Sequence, residues 1–232
     1  ITFLPPVPQP NSFRDAYAFR EHVETCRKNR GANMIAEFDH FPVFYFSNHN
    51  SMYANGETIK LMPDHFNKLD YELEFAIILG KGGKNILSKD ADKHIAGFCI
   101  LNDLSARTLQ IEEMKLNLGP AKGKDFANVL GPYLVTPDEL ESKAINTRYG
   151  KKYDLEMKCL VNGELLSKGN AKNMSWTFAE IIERASYGVE LCAGDIIGSG
   201  TVGGGCLLEI NGFKKRLDSS YLERWLKEGD EI

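Results

Sequence analysis

The sequence predicts a single α+β domain in which β-structure dominates. Many short apolar runs of strand-like composition follow one another, and helical patterns separate only some of them. An Asn162-Gly163 pair between two such runs is typical of a β-hairpin. Residues 175–187 have an amphipathic helical pattern, and Gly188 follows as its expected end. The 232 residues of the chain are enough for one large domain.

The first part of the chain is expected to form an arm and a helix. Residues 1–12 hold four of the nine prolines, which is typical of an extended segment. Residues 14–30 repeat apolar side chains at roughly helical spacing, and Gly31 follows them. We therefore expect residues 1–42 to form a mobile lid over a β-rich core of residues 43–232.

The core is expected to contain most of the strands. The predicted strands cover residues 43–46, 70–80, 96–101, 131–136, 153–161, 164–167, 195–198 and 206–210. Further helices are predicted at 88–94, 105–115 and 175–187, with a last helix around 221–226.

The strand at residues 70–80 gives the first indication of chemistry. Because side chains alternate along a strand, Glu72 and Glu74 point to the same side. Two adjacent carboxylates on an apolar strand repel each other and lose hydration, which a bound cation relieves. Asp103 ends the next apolar strand and would join them if the strands are neighbours, giving three oxygen ligands suited to Mg²⁺, Mn²⁺ or Ca²⁺. The alternative is that both glutamates face solvent on a half-exposed strand.

Composition excludes several functional classes. A net charge of -4, with no basic stripe and no zinc motif, argues against a nucleic-acid-binding protein. The sequence has no apolar run long enough to cross a bilayer, so we expect no membrane contact. The five scattered cysteines form no C-x-x-C pair, which fits buried thiols in a reducing, cytoplasmic compartment.

Residues 198–203 match the glycine pattern G-x-G-x-x-G of dinucleotide-binding loops. That pattern requires a following helix, whereas residues 206–210 have the composition of a strand. We therefore interpret the segment as a loop whose backbone N–H groups and Thr201 hydroxyl receive a carboxylate. A purely structural turn is the alternative.

Five motifs occur together in an order and spacing that resemble the fumarylacetoacetate hydrolase family, across residues 14–230. They are D-Y-E-L-E at 70–74, N-D-L-S-A-R-T-L-Q at 102–110, K-D-F at 124–126, L-G-P at 130–132 and G-D-I-I-G-S-G-T at 194–201. The resemblance implies a mixed β-sandwich roll of the family's C-terminal domain type, assembled as a homodimer. It also implies Mg²⁺ or Mn²⁺ acting on small 2-oxo or 1,3-diketo acids. The family domain continues with a further strand after the last motif, which we expect to be missing here.

The resemblance also implies roles for individual residues. Metal ligands are Glu72, Glu74 and Asp103; catalytic residues are Lys124, with Lys122 as second choice, and His22; substrate-binding residues are Arg107, Gln110 and Thr201. Two departures from the family pattern are visible. Family hydrolases often pair the histidine with a glutamate three residues later, where this chain has Thr25 and, nearby, Glu24. The family's F-L-K-P segment is replaced by residues 45–48.

The expected function is a metal-dependent hydrolase that cleaves a C–C bond in a small acylpyruvate-like 1,3-diketo acid. His22 would take a proton from water, and Lys124 would add positive charge where negative charge grows. The first alternative is a 2-oxo acid lyase, an oxaloacetate-type decarboxylase or a dehydratase. Decarboxylation needs no activated water, so Thr25 favours that alternative. The second is a non-catalytic metal- or ligand-binding domain.

Overall fold

Strands from both halves of the chain build the sheet that holds the site. The computed structural model describes residues 3–232, so the first two residues of the expected arm lie outside the described residues. The described strands are β1 Phe13–Ala16, β2 Phe44–Ser47, β3 Met52–Ala54, β4 Leu69–Asp70, β5 Leu73–Leu79, β6 Gly83–Lys84, β7 Ile95–Asp103, β8 Ser105–Ala106, β9 Asn128–Leu130, β10 Ala144–Thr147, β11 Gly150–Tyr153, β12 Glu156–Val161, β13 Glu164–Asn170, β14 Glu190–Leu191 and β15 Ile196–Gly198.

The helices lie around this sheet. The α-helices are α1 Arg20–Asn29, α2 Ser88–Ala91, α3 Arg107–Met114, α4 Phe178–Ser186 and α5 Leu207–Leu217. Short 3-10 turns occur at Ala36–Asp39, Pro63–Phe66, Asp92–His94, Glu141–Lys143 and Ala171–Asn173. Within residues 3–232, none of the helices combines the length and apolarity that crossing a bilayer requires.

Seven strands form one mixed sheet in the order β2-β1-β15-β5-β7-β9-β3. The pairs β1/β15 and β3/β9 are parallel, and the other neighbouring pairs are antiparallel. The prediction of a domain that mixes helices and strands is confirmed. The two strongest apolar runs of the sequence, β5 and β7, lie side by side in this sheet, as the metal-site hypothesis required.

Strand β5 is buried on both faces. On one face the Phe75 ring stacks on Phe98 of β7 at a centroid distance of 5.1 Å, with Phe178 of α4 beside them. On the other face Ala76 and Ile78 join a smaller apolar cluster. Burial on both sides explains why the strand is a continuous apolar run rather than an alternating one. Glu74 lies on the face of Ala76 and Ile78, and this charged group is therefore embedded in apolar surroundings.

The N-terminal segment differs from the prediction. Residues 13–16, predicted to open a helix, form β1 between β2 and β15, and α1 begins only at Arg20. The predicted helix start at residue 14 was wrong because Phe13 and Ala16 fit helical spacing and also the buried positions of a four-residue strand. As a result, Asp15 enters the interior of the sheet.

The C-terminal segment also differs from the prediction. Residues 206–210, predicted as a strand, include the first turn of α5, and residues 221–226 are not helical. The Asp70 carboxylate accepts hydrogen bonds from the backbone N–H groups of Leu207, at 2.7 Å, and Leu208, at 2.9 Å. These donors begin a helix and would otherwise lack partners, so a distant side chain stabilises the helix start.

The predicted strand at residues 131–136 was likewise placed too far along the chain. Strand β9 ends at Leu130, and beyond it Val135 forms a single bridge with Phe98.

The predicted hairpin is confirmed: β12 and β13 pair across Asn162 and Gly163, whose φ angles of 52° and 78° suit the two central positions of a type I′ turn.

Candidate metal and acid–base site

Four buried carboxylates form the centre of the site. One oxygen from each of Asp15, Glu72, Glu74 and Asp103 lies within 4.8 Å of the others. None of the four side chains is exposed to solvent. The structure therefore brings the three predicted metal ligands together and adds Asp15, which the sequence analysis missed because β1 was interpreted as a helix.

Strand register explains how the four carboxylates converge. Glu74 pairs with Leu101 two positions before Asp103, and Asp15 pairs with Gly198, which in turn pairs with Ala76. A Cβ atom on Gly198 would lie 2.4 Å from Asp15 Oδ1 and 3.1 Å from Glu74 Oε2. Only glycine therefore lets these two carboxylates approach each other across β15.

Several carboxylate oxygens in this cluster lack a partner. Both oxygens of Glu74 and Oδ1 of Asp103 are buried without a hydrogen-bond partner among the described residues. Burial, followed by the charges of Asp15 and Asp103, raises the pKa of Glu74 well above its ordinary value. Burial also raises the pKa of Asp15, to about 7. Unpaired oxygens that converge from four carboxylates fit a divalent cation that prefers oxygen ligands.

Lys124 supplies positive charge to one side of the cluster. Its Nζ donates to Asp103 Oδ2 at 2.6 Å and also to Glu72. Burial alone would lower the pKa of Lys124, but the charges of Asp103 and Glu72 outweigh it and raise the pKa above its ordinary value. Lys124 is therefore an ammonium ion and not a base. Lys122, the second choice, is exposed and pairs with Asp125 at 2.8 Å.

Arg107 donates hydrogen bonds to one carboxylate of the cluster and to two neighbouring side chains. It donates to Asp70 at 2.8 Å and to Glu72 at 2.7 Å, and its Nη1 donates to Gln110 Oε1 at 2.9 Å. Burial would raise the pKa of Glu72, but Lys124 and Arg107 hold that pKa below its ordinary value. Arg107 thus orients Glu72 and Gln110, and the substrate contacts expected of Arg107 and Gln110 stay predictions.

Tyr45 is a second group that the sequence analysis missed. Its hydroxyl donates to Asp103 Oδ2 at 2.7 Å. Tyr45 lies directly across from Asp15 in the β1/β2 pair, so the strand register places it over the cluster. Tyr45 is the first residue of the segment that replaces the family's F-L-K-P motif. This departure from the family pattern was the signal in the sequence that could have indicated Tyr45.

His22 has an acidic partner from the other end of the chain. Its Nδ1 lies 2.8 Å from Glu209 Oε2, and both side chains are buried. Glu24, the nearest acid in sequence, instead forms an exposed pair with Arg20 at 3.0 Å. The glutamate absent at position 25 is thus replaced by one on α5, which the sequence analysis missed because residues 206–210 were interpreted as a strand.

The pair changes the acid–base properties of the imidazole. Burial by itself lowers the pKa of His22, but its contacts with Cys206 and Glu209 outweigh burial and raise the pKa to about 10. Burial raises the pKa of the Cys206 thiol well above its ordinary value, so the thiol is neutral near pH 7. We therefore attribute the raised pKa of His22 to the carboxylate of Glu209.

The glycine-rich loop lies between β15 and α5. The backbone N–H of Gly200 donates to Asp15 Oδ1 at 3.1 Å, and Thr201 next to it is buried. Gly200 has a φ of 78°, and a Cβ there would lie 2.5 Å from the Ala16 carbonyl oxygen. The helix after this loop removes the earlier reason for excluding a dinucleotide, but the loop packs on the protein's own backbone and donates to a carboxylate, unlike a pyrophosphate cradle.

Sequence comparisons agree with this arrangement. The family model "Fumarylacetoacetate (FAA) hydrolase C-terminal" matches residues 11–232. The oxaloacetate tautomerase YisK of Bacillus subtilis is 32% identical over 169 residues, which are 73% of this chain and 52% of the relative. The fumarylacetoacetase of Oryza sativa is 32% identical over 196 residues, covering 71% of this chain and 46% of the relative. The chain thus spans about half the length of these two curated relatives.

Solved structures share the fold. A fumarylacetoacetate hydrolase from Exiguobacterium antarcticum matches with a TM-score of 0.70 at 27% identity, covering 97% of this chain and 71% of the other. A fumarylpyruvate hydrolase from Pseudomonas aeruginosa, in complex with Mn²⁺ and pyruvate, matches with a TM-score of 0.65 at 21% identity, covering 85% and 79%. Together with the family model, these matches show that the chain belongs to the fumarylacetoacetate hydrolase family.

Proposed function

We propose that this chain is a divalent-metal-dependent hydrolase that cleaves a C–C bond in a small acylpyruvate-like 1,3-diketo acid. The observation that supports hydrolysis is the buried His22–Glu209 pair, whose atoms lie 2.8 Å apart. Hydrolysis requires a base for water, and a carboxylate that holds the histidine is the usual arrangement for such a base. The pair removes the argument for a lyase that Thr25 alone gave.

The four carboxylates are proposed to hold Mg²⁺ or Mn²⁺, and Ca²⁺ would also suit an all-oxygen ligand set. When bound, the ion would polarise the keto oxygen of the substrate as a Lewis acid. The relative from Pseudomonas aeruginosa contains Mn²⁺ together with pyruvate, a 2-oxo acid. That combination supports a 2-oxo acid moiety as the part of the substrate that faces the carboxylate cluster here.

The remaining steps of the proposed hydrolysis are assigned to side chains of this chain. His22 takes a proton from water, and Glu209 holds the imidazole and stabilises its protonated form. The water oxygen attacks the acyl carbonyl, the C–C bond to the pyruvate part breaks, and the released enolate takes up the proton that His22 accepted from water, giving a carboxylic acid and pyruvate. Lys124 offsets negative charge that develops on the pyruvate part. Thr201 and its loop are proposed to receive the substrate carboxylate.

A second candidate is keto–enol chemistry on oxaloacetate. The similarity to the oxaloacetate tautomerase YisK favours it. Tautomerisation moves a proton without breaking a C–C bond, and His22 could perform that step with no activated water. Decarboxylation and dehydration on the same scaffold remain further alternatives, while a non-catalytic binding role leaves the buried His22–Glu209 pair without a purpose.

One experiment separates these reactions. The purified chain is incubated in ¹⁸O-water with acylpyruvates, fumarylpyruvate or oxaloacetate in the presence of Mg²⁺ or Mn²⁺. The masses of the products are then measured by mass spectrometry. Hydrolysis places one ¹⁸O in the released acid, decarboxylation yields CO₂, and tautomerisation yields no cleavage products. Loss of the labelled acid in Glu209→Gln, with turnover retained in the exposed control Glu24→Gln, is expected. Cleavage without label would overturn the proposal.

The proposal includes three finer expectations. We infer that the sheet forms the family's β-sandwich roll and that the protein is a cytoplasmic homodimer. The five cysteines are free thiols, which suits a reducing compartment. Exposed apolar side chains at Phe46, Ile100 and Tyr133 suit a subunit contact. Light scattering coupled to gel filtration tests the dimer.

A further inference from the structure

We propose that His22, Cys26 and Glu209 form a second metal site that binds zinc-like ions and switches off the acid–base pair. One donor atom from each of the three residues lies within 4.8 Å of the others, and all three side chains are buried. The site is distinct from the four-carboxylate cluster, with which it shares no ligand.

The donor atoms are close to the spacing that zinc requires. Bonds of about 2.0–2.3 Å in a tetrahedral site place ligand atoms about 3.3–3.8 Å apart. The Cys26 Sγ lies 3.8 Å from His22 Nε2 and 3.9 Å from Nδ1, while His22 Nδ1 lies 2.8 Å from Glu209 Oε2. Binding therefore requires His22 and Glu209 to move apart by less than about 1 Å, while Glu209 stays near Cys26, from which its donor oxygen lies within 4.8 Å.

Two packed helices hold the donors in place. His22 and Cys26 are four residues apart on α1 and therefore lie on the same face of that helix. Glu209 is in the first turn of α5, which packs against α1. The Asn29 side-chain amide donates to the Glu209 carbonyl oxygen at 3.1 Å and ties the two helices together at this point. The site is thus largely formed before any ion binds.

The donor set differs from that of the four-carboxylate cluster. One sulfur, one imidazole and one carboxylate are ligands typical of Zn²⁺ and other thiophilic ions, with water completing the tetrahedron. The four-carboxylate cluster offers oxygen alone and suits Mg²⁺ or Mn²⁺. The Cys26 thiol has no role in the proposed hydrolysis, so its position beside the acid–base pair is otherwise unexplained.

The consequence of binding rests on the proposed function. An imidazole nitrogen that ligates zinc cannot accept a proton from water, and Glu209 can no longer orient the ring. Zinc would therefore inhibit hydrolysis without displacing the ion in the carboxylate cluster. Loss of a general base costs about 100-fold or more in rate, which sets the expected depth of inhibition.

Cobalt(II) tests binding independently of activity. The full chain is saturated with Mg²⁺ and titrated with Co²⁺, whose thiolate complexes absorb in the near ultraviolet and whose tetrahedral complexes absorb in the visible range. We expect one equivalent to give both bands, Zn²⁺ to abolish them, and Cys26→Ser to lack the near-ultraviolet band. Cys26→Ala, checked by circular dichroism, serves as a second variant. The matched control is Cys99→Ser, since Cys99 is an equally buried thiol outside the site.

The outcomes distinguish the two proposals. Absence of the thiolate band in the wild type, or an undiminished band in both Cys26 variants, would rule out the zinc site. A band without turnover of any 2-oxo acid would leave the zinc site standing and refute the proposed function. With turnover, each protein is compared with its own zinc-free rate: the wild type and Cys99→Ser should lose about 100-fold, and Cys26→Ser much less. Equal losses would refute inhibition through this site.

Discussion

The four-carboxylate cluster and the His22–Glu209 pair are both buried, but they balance charge differently. The pair is balanced internally, since a carboxylate faces an imidazole whose pKa it raises. The cluster holds four acids and receives Lys124 and Arg107 on one side only, which leaves the Glu74 oxygens without partners among residues 3–232. The pair balances its own charge in a buried position, whereas the unbalanced cluster fits a divalent cation.

Asp70 connects these two regions. It accepts hydrogen bonds from the N-terminal turn of α5, which presents Glu209, and from Arg107, which also holds Glu72. A shift of the segment that carries Glu72 and Glu74 would therefore be passed to α5, which presents the partner of His22. Substitutions in the cluster, in the pair and at this connection test the comparison.

The largest expected effect is at the cluster. Glu74→Gln removes one ligand while keeping shape, so we expect Mn²⁺-dependent activity to fall about 1,000-fold, in line with several kcal/mol of lost charge stabilisation. The metal-free fold should be little affected, because burial already disfavours the charged form of Glu74 and glutamine is neutral and of the same size. Steady-state rates, calorimetric Mn²⁺ titration and thermal melts measure the three quantities. Wild-type affinity for Mn²⁺ in this variant would contradict the assignment.

The next effect separates the pair from the cluster. Glu209→Gln should lower hydrolysis about 100-fold and leave Mn²⁺ affinity unchanged. His22 must be deprotonated to act as a base, and its pKa is raised to about 10, so the wild-type rate should rise with pH above neutrality. Without the carboxylate the pKa of His22 should fall, because burial alone lowers it, and this rise should move to lower pH. The pH–rate profiles of both proteins check this, and an unchanged profile would exclude His22 as the base.

A smaller effect is expected at the connection. Asp70→Asn removes the charge that caps α5 and pairs with Arg107, so the free energy of unfolding should fall by about 2 kcal/mol. Urea unfolding measures it, with Asp39→Asn, an exposed partner of Arg20, as the matched control. Equal stability of the two variants would mean that Asp70 does not join the two regions.

The smallest effect concerns pH and metal affinity. Burial raises the pKa of Asp15 to about 7 and raises that of Glu74 well above its ordinary value, so on acidification these carboxyls take up protons that a cation must displace. Mg²⁺ affinity should therefore increase as pH rises through about 7, by roughly tenfold per unit for each proton released. Calorimetry in buffers of different ionisation enthalpy counts the protons. Affinity that is independent of pH would show that the carboxyls are already ionised.

The sequence was sufficient to predict the carboxylates of the cluster that lie on or beside long apolar strands. Glu72 and Glu74 follow from alternation along β5, and Asp103 follows from the end of its neighbour β7. Asp15 could not be found this way, because a four-residue strand is too short to be told from a helix turn by periodicity.

Glu209 was missed for a different reason. The helix that presents Glu209 begins where the Asp70 carboxylate accepts hydrogen bonds from the backbone N–H groups of Leu207 and Leu208. These residues lie 137 and 138 positions further along the chain. A short apolar run fits a strand or a helix equally well, and here a tertiary hydrogen bond decides between them. Local patterns therefore predicted the part of the site built from long strands, and long-range contacts determined the rest.

The pairing of β1 with β15 has a consequence for biosynthesis. Asp15 is made about 180 residues before Gly198, the residue with which it pairs. Until Gly198 is made, β1 can pair only with β2, and the acidic cluster lacks the side that β15 forms. Contacts of such long sequence separation form slowly. In the nascent chain the four carboxylates can therefore converge only after β15 has been made and has paired with β1.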